Sequence, residues 1–291
     1  MSGPAPRVAG SRGLGTPARE ALDGAITAIS AAGCETPRLD AELLLAHVLG
    51  VGREQLITNQ ELVVQGPAVR AFQAAVRRRS VEREPVAYIT GRRGFRRIEL
   101  TVDRRALIPR PETELLVEVG LGLPAGARVL DLGTGCGAIA LALKSERPDL
   151  HVSGSDVSEA AIALAELNSI QLELDVTWLH ADLLTDVGEF DAILSNPPYI
   201  AEPERSTLAP EITRHEPASA LFGGQDGLNT FRALFNQLAE LPDVRFVALE
   251  VGAGQAAAIA ALAHAAKFDN CRFERDLARI QRVLVAERRQ Q

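Results

Sequence analysis

Two short segments of this sequence combine residue types and a spacing that could do chemistry. The first, residues 131–137, has the sequence DLGTGCG and lies between a strand-like apolar run and a helical one. Glycines at such a turn remove the Cβ atoms that would keep a ligand away from the backbone, and the helix N-terminus offers unpaired N–H groups. We therefore predict a nucleotide-like ligand at this loop. The residues expected to contact it are Gly133, Thr134, Gly135, Cys136 and Gly137.

The residues around this loop narrow the choice of ligand. Ala138 stands where the dinucleotide fingerprint has its last glycine, which disfavours a nicotinamide or flavin dinucleotide. Asp156 ends the next predicted strand, where a carboxylate can accept hydrogen bonds from both ribose hydroxyls. The two signals together favour S-adenosylmethionine, with Asp182 and Leu183 bordering its adenine. A plain tight turn at the glycines and a surface turn at Asp182 are the alternatives without a ligand.

The second segment, residues 195–200, has the sequence SNPPYI and follows the fourth predicted strand. Pro197 and Pro198 hold Asn196 extended and delete two N–H donors, so the loop presents the Asn196 side-chain oxygen and the Pro197 carbonyl as acceptors. Two acceptors suit a planar –NH2 group, which they would hold with its lone pair toward the methyl of the cofactor, and Tyr199 would lie against the planar face of the substrate. A sulfonium methyl is already activated, so no strong base is required. An Asn-Pro turn without chemistry is the alternative.

The elements that must position these segments follow from hydrophobic periodicity. Residues 16–84 have apolar residues at helical spacing and predict a small helical bundle, and residues 86–102 alternate as in a β-hairpin or extended connector. Beyond Pro111, strands alternate with helices, which predicts a parallel sheet covered by helices. The predicted strands lie at 128–131, 151–156, 176–179, 190–195, 244–250 and 283–286, and the helices at 137–146, 158–169, 228–239 and 255–266.

Composition excludes several classes of protein. With 291 residues, 46% hydrophobic and 24% charged, the chain has the length and make-up for about two globular domains. Its three cysteines are far apart and never form a CxxC pair, so they predict no disulfide framework and no metal site. No signal-peptide core and no run of about 18 apolar residues is present, so we expect a cytoplasmic protein that neither is exported nor spans a membrane.

The charge is unevenly distributed along the chain. The first 110 residues carry 17 Arg and no Lys against 11 acidic residues, a balance of +6, whereas the remainder has a balance of −13. An acidic second half is poorly suited to following a phosphate backbone, while the first half could contact nucleic acid or an acidic protein surface. Ordinary solvated helix faces are the alternative.

At this point the sequence resembles a known family. The runs at 107–114 (LIPRPETE), 131–143 and 216–228, together with Asp156 and the NPPY segment, are similar to the HemK/PrmC release factor glutamine methyltransferases. The similarity begins near Thr16. It implies an α/β class I (Rossmann-like) S-adenosylmethionine-dependent methyltransferase sheet of seven strands, preceded by a small all-α bundle and a β-hairpin linker. The implied bounds are a flexible leader at 1–15, the bundle at 16–85, the linker at 86–110 and the catalytic domain at 111–291.

The resemblance also implies an activity. Such an enzyme methylates the side-chain amide nitrogen (N5) of the glutamine in the Gly-Gly-Gln motif of class-1 peptide chain release factors, leaving S-adenosylhomocysteine as product. The glycine loop, Asp156, Asp182, Leu183 and Asn196 would then bind the cofactor. The substrate would contact Asn196, Pro197, Pro198 and Tyr199, of which Asn196, Pro197 and Tyr199 are the predicted catalytic residues. The N-terminal domain would help to grip the release factor, and neither a membrane nor direct contact with nucleic acid is required.

The chain departs from the family pattern at two positions. Leu183 replaces the usual aromatic residue, and Arg279 stands where a glycine is expected. Two functional alternatives remain, a nucleic-acid methyltransferase acting on exocyclic amines and a non-catalytic cofactor-binding module; net acidity disfavours the first and the intact NPPY segment the second. Whether Arg110, Glu112 and Glu114 touch ligands or anchor the linker is open from sequence.

Overall fold

The computed structural model describes residues 15–59 and 62–289. The chain divides into two compact units, of which the first ends at Thr90 and the second begins at Gly91. Of the predicted leader, all but Gly15 lies outside the described residues. Within the described part of the chain, no helix has both the length and the apolar character needed to cross a lipid bilayer.

The first unit is built mainly from helices. These are α1 (Ala18–Ala31), α2 (Pro37–Leu49), α3 (Arg53–Thr58), α4 (Pro67–Ser80) and α5 (Val86–Thr90). Pro37 and Pro67 open their helices, where a missing N–H costs nothing, and Gly50 ends α2 with a left-handed φ of 65°. The prediction of an all-α bundle is wrong in one detail, because β1 (Thr16–Pro17) pairs antiparallel with β2 (Val63–Val64). A two-residue ladder is too short to leave a periodic signal.

The core of this unit contains a buried ion pair. Arg79 Nε donates to Asp40 Oδ2 at 2.6 Å, and Thr36 donates to the other Asp40 oxygen at 2.8 Å. Buried charges are stable when they are paired and hydrogen-bonded, as here. The apolar side chains around them include Ile29, Leu44, Leu45, Leu56 and Phe72.

The start of the predicted hairpin is helical instead. Local residue types at 86–90 favour a strand, but Tyr88 and Ile89 both donate backbone hydrogen bonds to Pro85 and are buried. Burial of these two side chains outweighs the local β preference. An antiparallel pair, β3 (Arg92–Phe95) and β4 (Ile98–Thr101), follows in the second unit. A linker role for this segment stays a prediction.

The second unit alternates strands and helices. In chain order these are α6 (Glu114–Leu121), β5 (Arg128–Leu132), α7 (Ala138–Glu146), β6 (His151–Asp156), α8 (Glu159–Leu172), β7 (Thr177–His180), β8 (Ala192–Ser195), α9 (Pro210–His215), α10 (Asn229–Ala239), β9 (Phe246–Glu250), α11 (Ala256–Ala265), β10 (Asn270–Arg275) and β11 (Gln281–Glu287). Short 3₁₀ helices lie at Pro111–Thr113, Glu202–Thr207 and Ala218–Ala220.

All seven strands from β5 to β11 form one sheet in the order β10-β11-β9-β8-β5-β6-β7. The implied seven-stranded methyltransferase sheet is confirmed. The prediction of a parallel sheet holds for β5 to β9, but β11 runs antiparallel to both β9 and β10, so the sheet is mixed. Periodicity alone also missed β10, an edge strand rich in charged residues, none of which is buried.

The turn in which Arg279 replaces the expected glycine joins β10 to β11. Arg279 adopts a left-handed φ of 62°, the conformation that glycine would favour. Asp276 holds the turn, since its backbone carbonyl accepts from the Arg279 N–H and its carboxylate accepts from the Ile280 N–H and from Arg282. These hydrogen bonds allow arginine to replace glycine here.

The topology determines where a ligand can bind. The chain proceeds from β5 outward to β7 and then returns to place β8 on the other side of β5. At such a switch point the loops after neighbouring strands separate and leave a crevice at their carboxyl ends. The glycine loop follows β5 and the NPPY segment follows β8, so both meet at this crevice.

Candidate active site

A cavity of about 500 Å³ lies at the carboxyl ends of β5, β6 and β8. It brings together most of the residues predicted from sequence. These are Gly133, Thr134, Gly135, Cys136, Asp156, Asp182, Leu183, Asn196, Pro197 and Pro198. Two predicted residues in the described part of the chain, Gly137 and Tyr199, do not line it.

The glycine loop depends on backbone conformations that glycine adopts most readily. Gly133, Gly135 and Gly137 have φ values of 70°, 58° and 85°. A Cβ on Gly133 would meet nothing within 4 Å, whereas one on Gly137 would lie 2.9 Å from Leu141 and 3.0 Å from Trp178. Gly133 therefore leaves room on the cavity side, and Gly137 allows α7 to pack closely on its neighbours.

Asp156 connects the glycine loop to the start of α8. Its two carboxylate oxygens accept from the backbone N–H groups of Gly135 and Ser158, each at 2.9 Å. A carboxylate has about four lone-pair sites, so further donors can still bind. The side chain is half-buried at the cavity wall, where a pair of ligand hydroxyls could use the remaining sites.

Asp131 lies beneath the glycine loop. Its Oδ2 accepts from the Thr134 hydroxyl at 2.6 Å and from the Ala140 N–H at 3.0 Å, while Oδ1 has no hydrogen-bond partner within the described structure. Burial raises the pKa of Asp131 to about 7. Burial likewise raises the pKa of Cys136 to about 12, so its thiol stays neutral and is no nucleophile.

Asp182 and Leu183 form the wall of the cavity that follows β7. Leu183 has a left-handed φ of 50°, which is unusual for a leucine. The next residue is fixed, since the Leu184 N–H donates to Gln237 Oε1 at 2.8 Å. Strained backbone at a cavity wall is a feature of functional sites, and here it places an aliphatic side chain at the wall.

Asn196 presents one end of its amide to the cavity. Its Nδ2 donates to Thr113 Oγ1 at 3.0 Å, whereas its Oδ1 has no partner among the described residues. The preceding Ser195 is buried and donates to the Leu132 carbonyl at 2.6 Å, which ties the end of β8 to β5. The Asn196 oxygen is therefore available as an acceptor, and the adjacent Pro197 lines the same cavity.

Tyr199 is directed to a buried carboxylate. Its hydroxyl donates to Glu250 Oε1 at 3.1 Å, and Glu250 Oε2 accepts from Thr113 at 2.7 Å. Burial raises the pKa of Glu250, and burial together with the Glu250 charge raises the pKa of Tyr199. Stacking of the Tyr199 ring on a substrate stays a prediction.

The loop at residues 221–227 packs against the NPPY segment. The Ile200 N–H donates to the Leu221 carbonyl at 3.0 Å, and the Ile200 carbonyl accepts from the Gly223 N–H at 2.9 Å. A Cβ on Gly227 would lie only 2.2 Å from the Tyr199 carbonyl, to which Gln255 Nε2 donates at 2.9 Å. A Cβ on Gly223 would likewise lie 2.5 Å from the Pro198 carbonyl, so Gly223 and Gly227 allow this loop to pack closely on the NPPY segment.

The segment before α6 is pinned by charged side chains. Arg110 pairs with the buried Glu216 at 2.6 Å, and Glu216 also accepts from the Ile108 N–H. Glu114 accepts from the backbone N–H of Arg96 at 3.1 Å. For Arg110 and Glu114 the structure therefore shows an anchoring contact within the second unit.

Sequence reasoning missed Thr113, Glu250 and Gln255. Glu250 carries the same signal that pointed to Asp156, an acidic residue at the end of an apolar strand. Thr113 lies inside the family-like run at 107–114 but has no property that distinguishes it there. Gln255 gives no signal of its own.

Comparison with known proteins agrees with this geometry. Two family models match the chain, the PrmC N-terminal domain over residues 20–91 and the methyltransferase small domain over residues 111–224. Among solved structures, the hMettl16 catalytic domain in complex with MAT2A 3′UTR hairpin 6 has a TM-score of 0.55 at 16% identity. The match covers 78% of this chain and 84% of that one, and it shows the shared fold.

The sheet order and the cavity at its switch point define a class I methyltransferase. A release factor glutamine methyltransferase from Rhodospirillum rubrum is 40% identical over 92% of this chain and 84% of its own length. Another of the same name, from Cereibacter sphaeroides, is 41% identical over 86% of this chain and 90% of its own length. The chain belongs to the release factor glutamine methyltransferase family.

Proposed function

We propose that this protein transfers a methyl group from S-adenosylmethionine to the side-chain amide nitrogen of the glutamine in the Gly-Gly-Gln motif of class-1 peptide chain release factors. The observation that carries the proposal is the free Asn196 Oδ1 at the cavity, beside Pro197 and across from the glycine loop. Two acceptors next to a nucleoside-type site suit a planar –NH2 substrate. Membership of the family supports the choice of release factors.

The residues of the cavity fit S-adenosylmethionine. Gly133 leaves open space where any other residue would place a Cβ, and Asp156 retains lone pairs for ribose hydroxyls. Leu183 offers an apolar surface for adenine. When bound, this cofactor supplies a methyl group on a sulfonium and leaves as neutral S-adenosylhomocysteine.

The role of the NPPY segment is to position the nucleophile. The amide –NH2 of glutamine donates one hydrogen to Asn196 Oδ1 and the other to the Pro197 carbonyl, which aims the nitrogen lone pair at the methyl carbon. A bond forms between the glutamine nitrogen and the methyl carbon as the S–C bond breaks, and the electron pair of the S–C bond stays on sulfur. Holding two reactants in line in this way can supply much of a rate enhancement.

No strong base is needed in this scheme. After the transfer, the methylated amide nitrogen of the glutamine carries an extra proton and a positive charge. Such a protonated amide is acidic enough to release the proton to water. Cys136, the nearest thiol along the chain, stays protonated at physiological pH because burial raises its pKa. The acceptors at Asn196 and Pro197 act through geometry and electrostatics instead.

The test is methyl transfer from labelled S-adenosylmethionine to separate samples of a release factor, its Gly-Gly-Gln→Gly-Gly-Ala variant, tRNA and duplex DNA. We expect label on the wild-type factor alone. The enzyme itself contains Gly223-Gly224-Gln225, so products are separated by mass before counting. Label on tRNA or DNA would be compatible with the chemistry at Asn196 but would refute the proposed substrate. Label on the Gly-Gly-Ala variant as well as on the wild-type factor would show that the glutamine of this motif is not the target.

A further inference from the structure

The Asn196 side chain is the end of a hydrogen-bonded chain that begins at a buried carboxylate. Glu250 ends β9 with 1% of its surface exposed, and Thr113 closes the 3₁₀ turn before α6 with 3% exposed. Thr113 Oγ1 donates to Glu250 Oε2 at 2.7 Å and accepts from Asn196 Nδ2 at 3.0 Å. The second Glu250 oxygen accepts from the Tyr199 hydroxyl at 3.1 Å. Hydroxyl groups therefore engage both carboxylate oxygens.

The direction of each hydrogen bond follows from donor capacity. The two Glu250 oxygens accept from the hydroxyl groups of Thr113 and Tyr199, so the single hydroxyl hydrogen of Thr113 is directed at Glu250. The remaining lone pairs of Thr113 can only accept, and the –NH2 of Asn196 is the group that reaches them. Rotating the Asn196 amide by half a turn would set oxygen against oxygen and leave the hydrogen bond unmade, which is costly in a buried setting. The carboxylate thus decides which end of Asn196 faces the cavity.

We propose that Thr113 and Glu250 are positioning residues that hold Asn196 Oδ1, and not Nδ2, toward the substrate amide. The proposal rests on the proposed function, because only an –NH2 substrate requires an acceptor at this place. A rotated Asn196 would turn its own –NH2 group toward the substrate –NH2 group. Both groups are donors, so the substrate nitrogen would lose one of its two acceptors. Both residues act through Asn196.

Two substitutions at Thr113 separate the hydroxyl group from the volume of the side chain. Thr113→Val keeps the shape and removes the hydroxyl, and Thr113→Ser keeps the hydroxyl. With a release factor as substrate, we expect Thr113→Val to lower kcat by about tenfold or more, while KM and the affinity for S-adenosylhomocysteine change by less than about threefold. Thr113→Ser should stay within about threefold of the wild type. The matched control is Thr177→Val, at an exposed edge-strand position.

A double-mutant cycle tests whether Thr113 acts through Asn196. In an Asn196→Ala background, Thr113→Val should change kcat by less than about twofold, because the group that it positions is absent. An equal loss in both backgrounds would show a separate structural role and overturn the proposal. Melting temperatures of all variants establish that each one is folded.

An NMR measurement needs neither substrate nor turnover. The chain has six asparagines, so selective ¹⁵N labelling gives six side-chain amide signals, and Asn196→Ala identifies the one required. Thr113→Val should shift this signal in the direction of a lost hydrogen bond, and Thr113→Ser should restore it. An unchanged Asn196 signal would overturn the proposal. If Thr113→Val shifts the Asn196 signal but the wild-type enzyme does not methylate the release factor, the proposed function is refuted. The role of Thr113 in orienting Asn196 would still be supported in that case.

Discussion

Single residues at this site act through hydrogen-bond direction rather than through acidity. Asn196 has no charge to lose or gain, yet its amide has one accepting and one donating end, and no described residue donates to the accepting end. Asp156 combines two tasks, since it braces Gly135 and Ser158 and still has lone pairs for a ligand. The two residues therefore differ in what their removal should cost.

For Asn196→Ala we expect turnover to fall by about two orders of magnitude or more, because a positioning acceptor is lost. Affinity for the cofactor should change only modestly. The measurement is single-turnover methyl transfer together with calorimetric binding of S-adenosylhomocysteine. Asn236→Ala, at an exposed position on α10, is the control. Near-normal turnover would remove Asn196 from the proposed mechanism.

For Asp156→Ala the expected defect lies in binding. Loss of charge-assisted bonds to the ribose should weaken affinity for S-adenosylhomocysteine by about 1.5–3 kcal/mol, as measured by calorimetry. Asp175→Ala, at an exposed aspartate before β7, should bind normally. An unchanged affinity in Asp156→Ala would place the ribose contact on another residue.

At the scale of elements, the turn from β5 to α7 is stabilised from below by Asp131. Its carboxylate joins the end of the strand to the first turn of the helix through Thr134 and Ala140, and it keeps one oxygen without a described partner. Burial raises its pKa to about 7, so the folded state holds a proton that the unfolded chain releases near pH 4. Stability contributed by this group is therefore present at low pH and is lost as the pH rises toward 7.

Asp131→Asn removes this titration. We expect the free energy of unfolding of the variant, relative to the wild type, to rise by about 1–3 kcal/mol between pH 5 and pH 8. Urea denaturation at both pH values measures it. Asp149→Asn is the control, because pairing with Arg147 lowers the pKa of Asp149 to about 2, and its effect should be the same at both pH values. If the free energy of unfolding of Asp131→Asn differs from that of the wild type by the same amount at both pH values, the raised pKa of Asp131 is contradicted.

For the molecule as a whole, charge is unevenly distributed along the chain. The first 110 residues have a balance of +6 and the rest a balance of −13. The first unit, residues 1–90, has 10 Arg against 9 acidic residues, so most of the excess lies at residues 91–110 of the second unit. We propose that exposed arginines on α4 of the first unit dock an acidic face of the release factor. Arg70 and Arg77 are exposed on α4 and lie two turns apart, on one side of the helix.

Reversing these two charges tests the docking surface. The double variant Arg70→Glu, Arg77→Glu should raise KM for the release factor about three- to tenfold, with kcat and cofactor affinity unchanged, and the difference should shrink at high salt. Arg245→Glu makes the same kind of change at an exposed position of the second unit and should leave KM alone. Equal effects of the two variants would refute a specific role for the first unit.

The sequence by itself determined the parts of the site that are continuous along the chain. A glycine loop, an acid at a strand end and an Asn-Pro-Pro-Tyr segment are each set by a few neighbouring residues, because glycine and proline restrict the backbone locally. Strand and helix alternation then predicts that the loops after β5, β6 and β8 share one edge of the sheet. All the residues predicted for the cavity, apart from Gly137 and Tyr199, line it.

Only the tertiary structure decided what orients those residues. Thr113 and Glu250 are 137 residues apart, and Asn196 is 83 residues from Thr113, yet the three form one hydrogen-bonded chain. No local pattern encodes such a pairing, because it depends on which strands become neighbours. The helix at 86–90 and the antiparallel β11 have the same origin, since burial and strand pairing there outweigh the preferences of the local sequence.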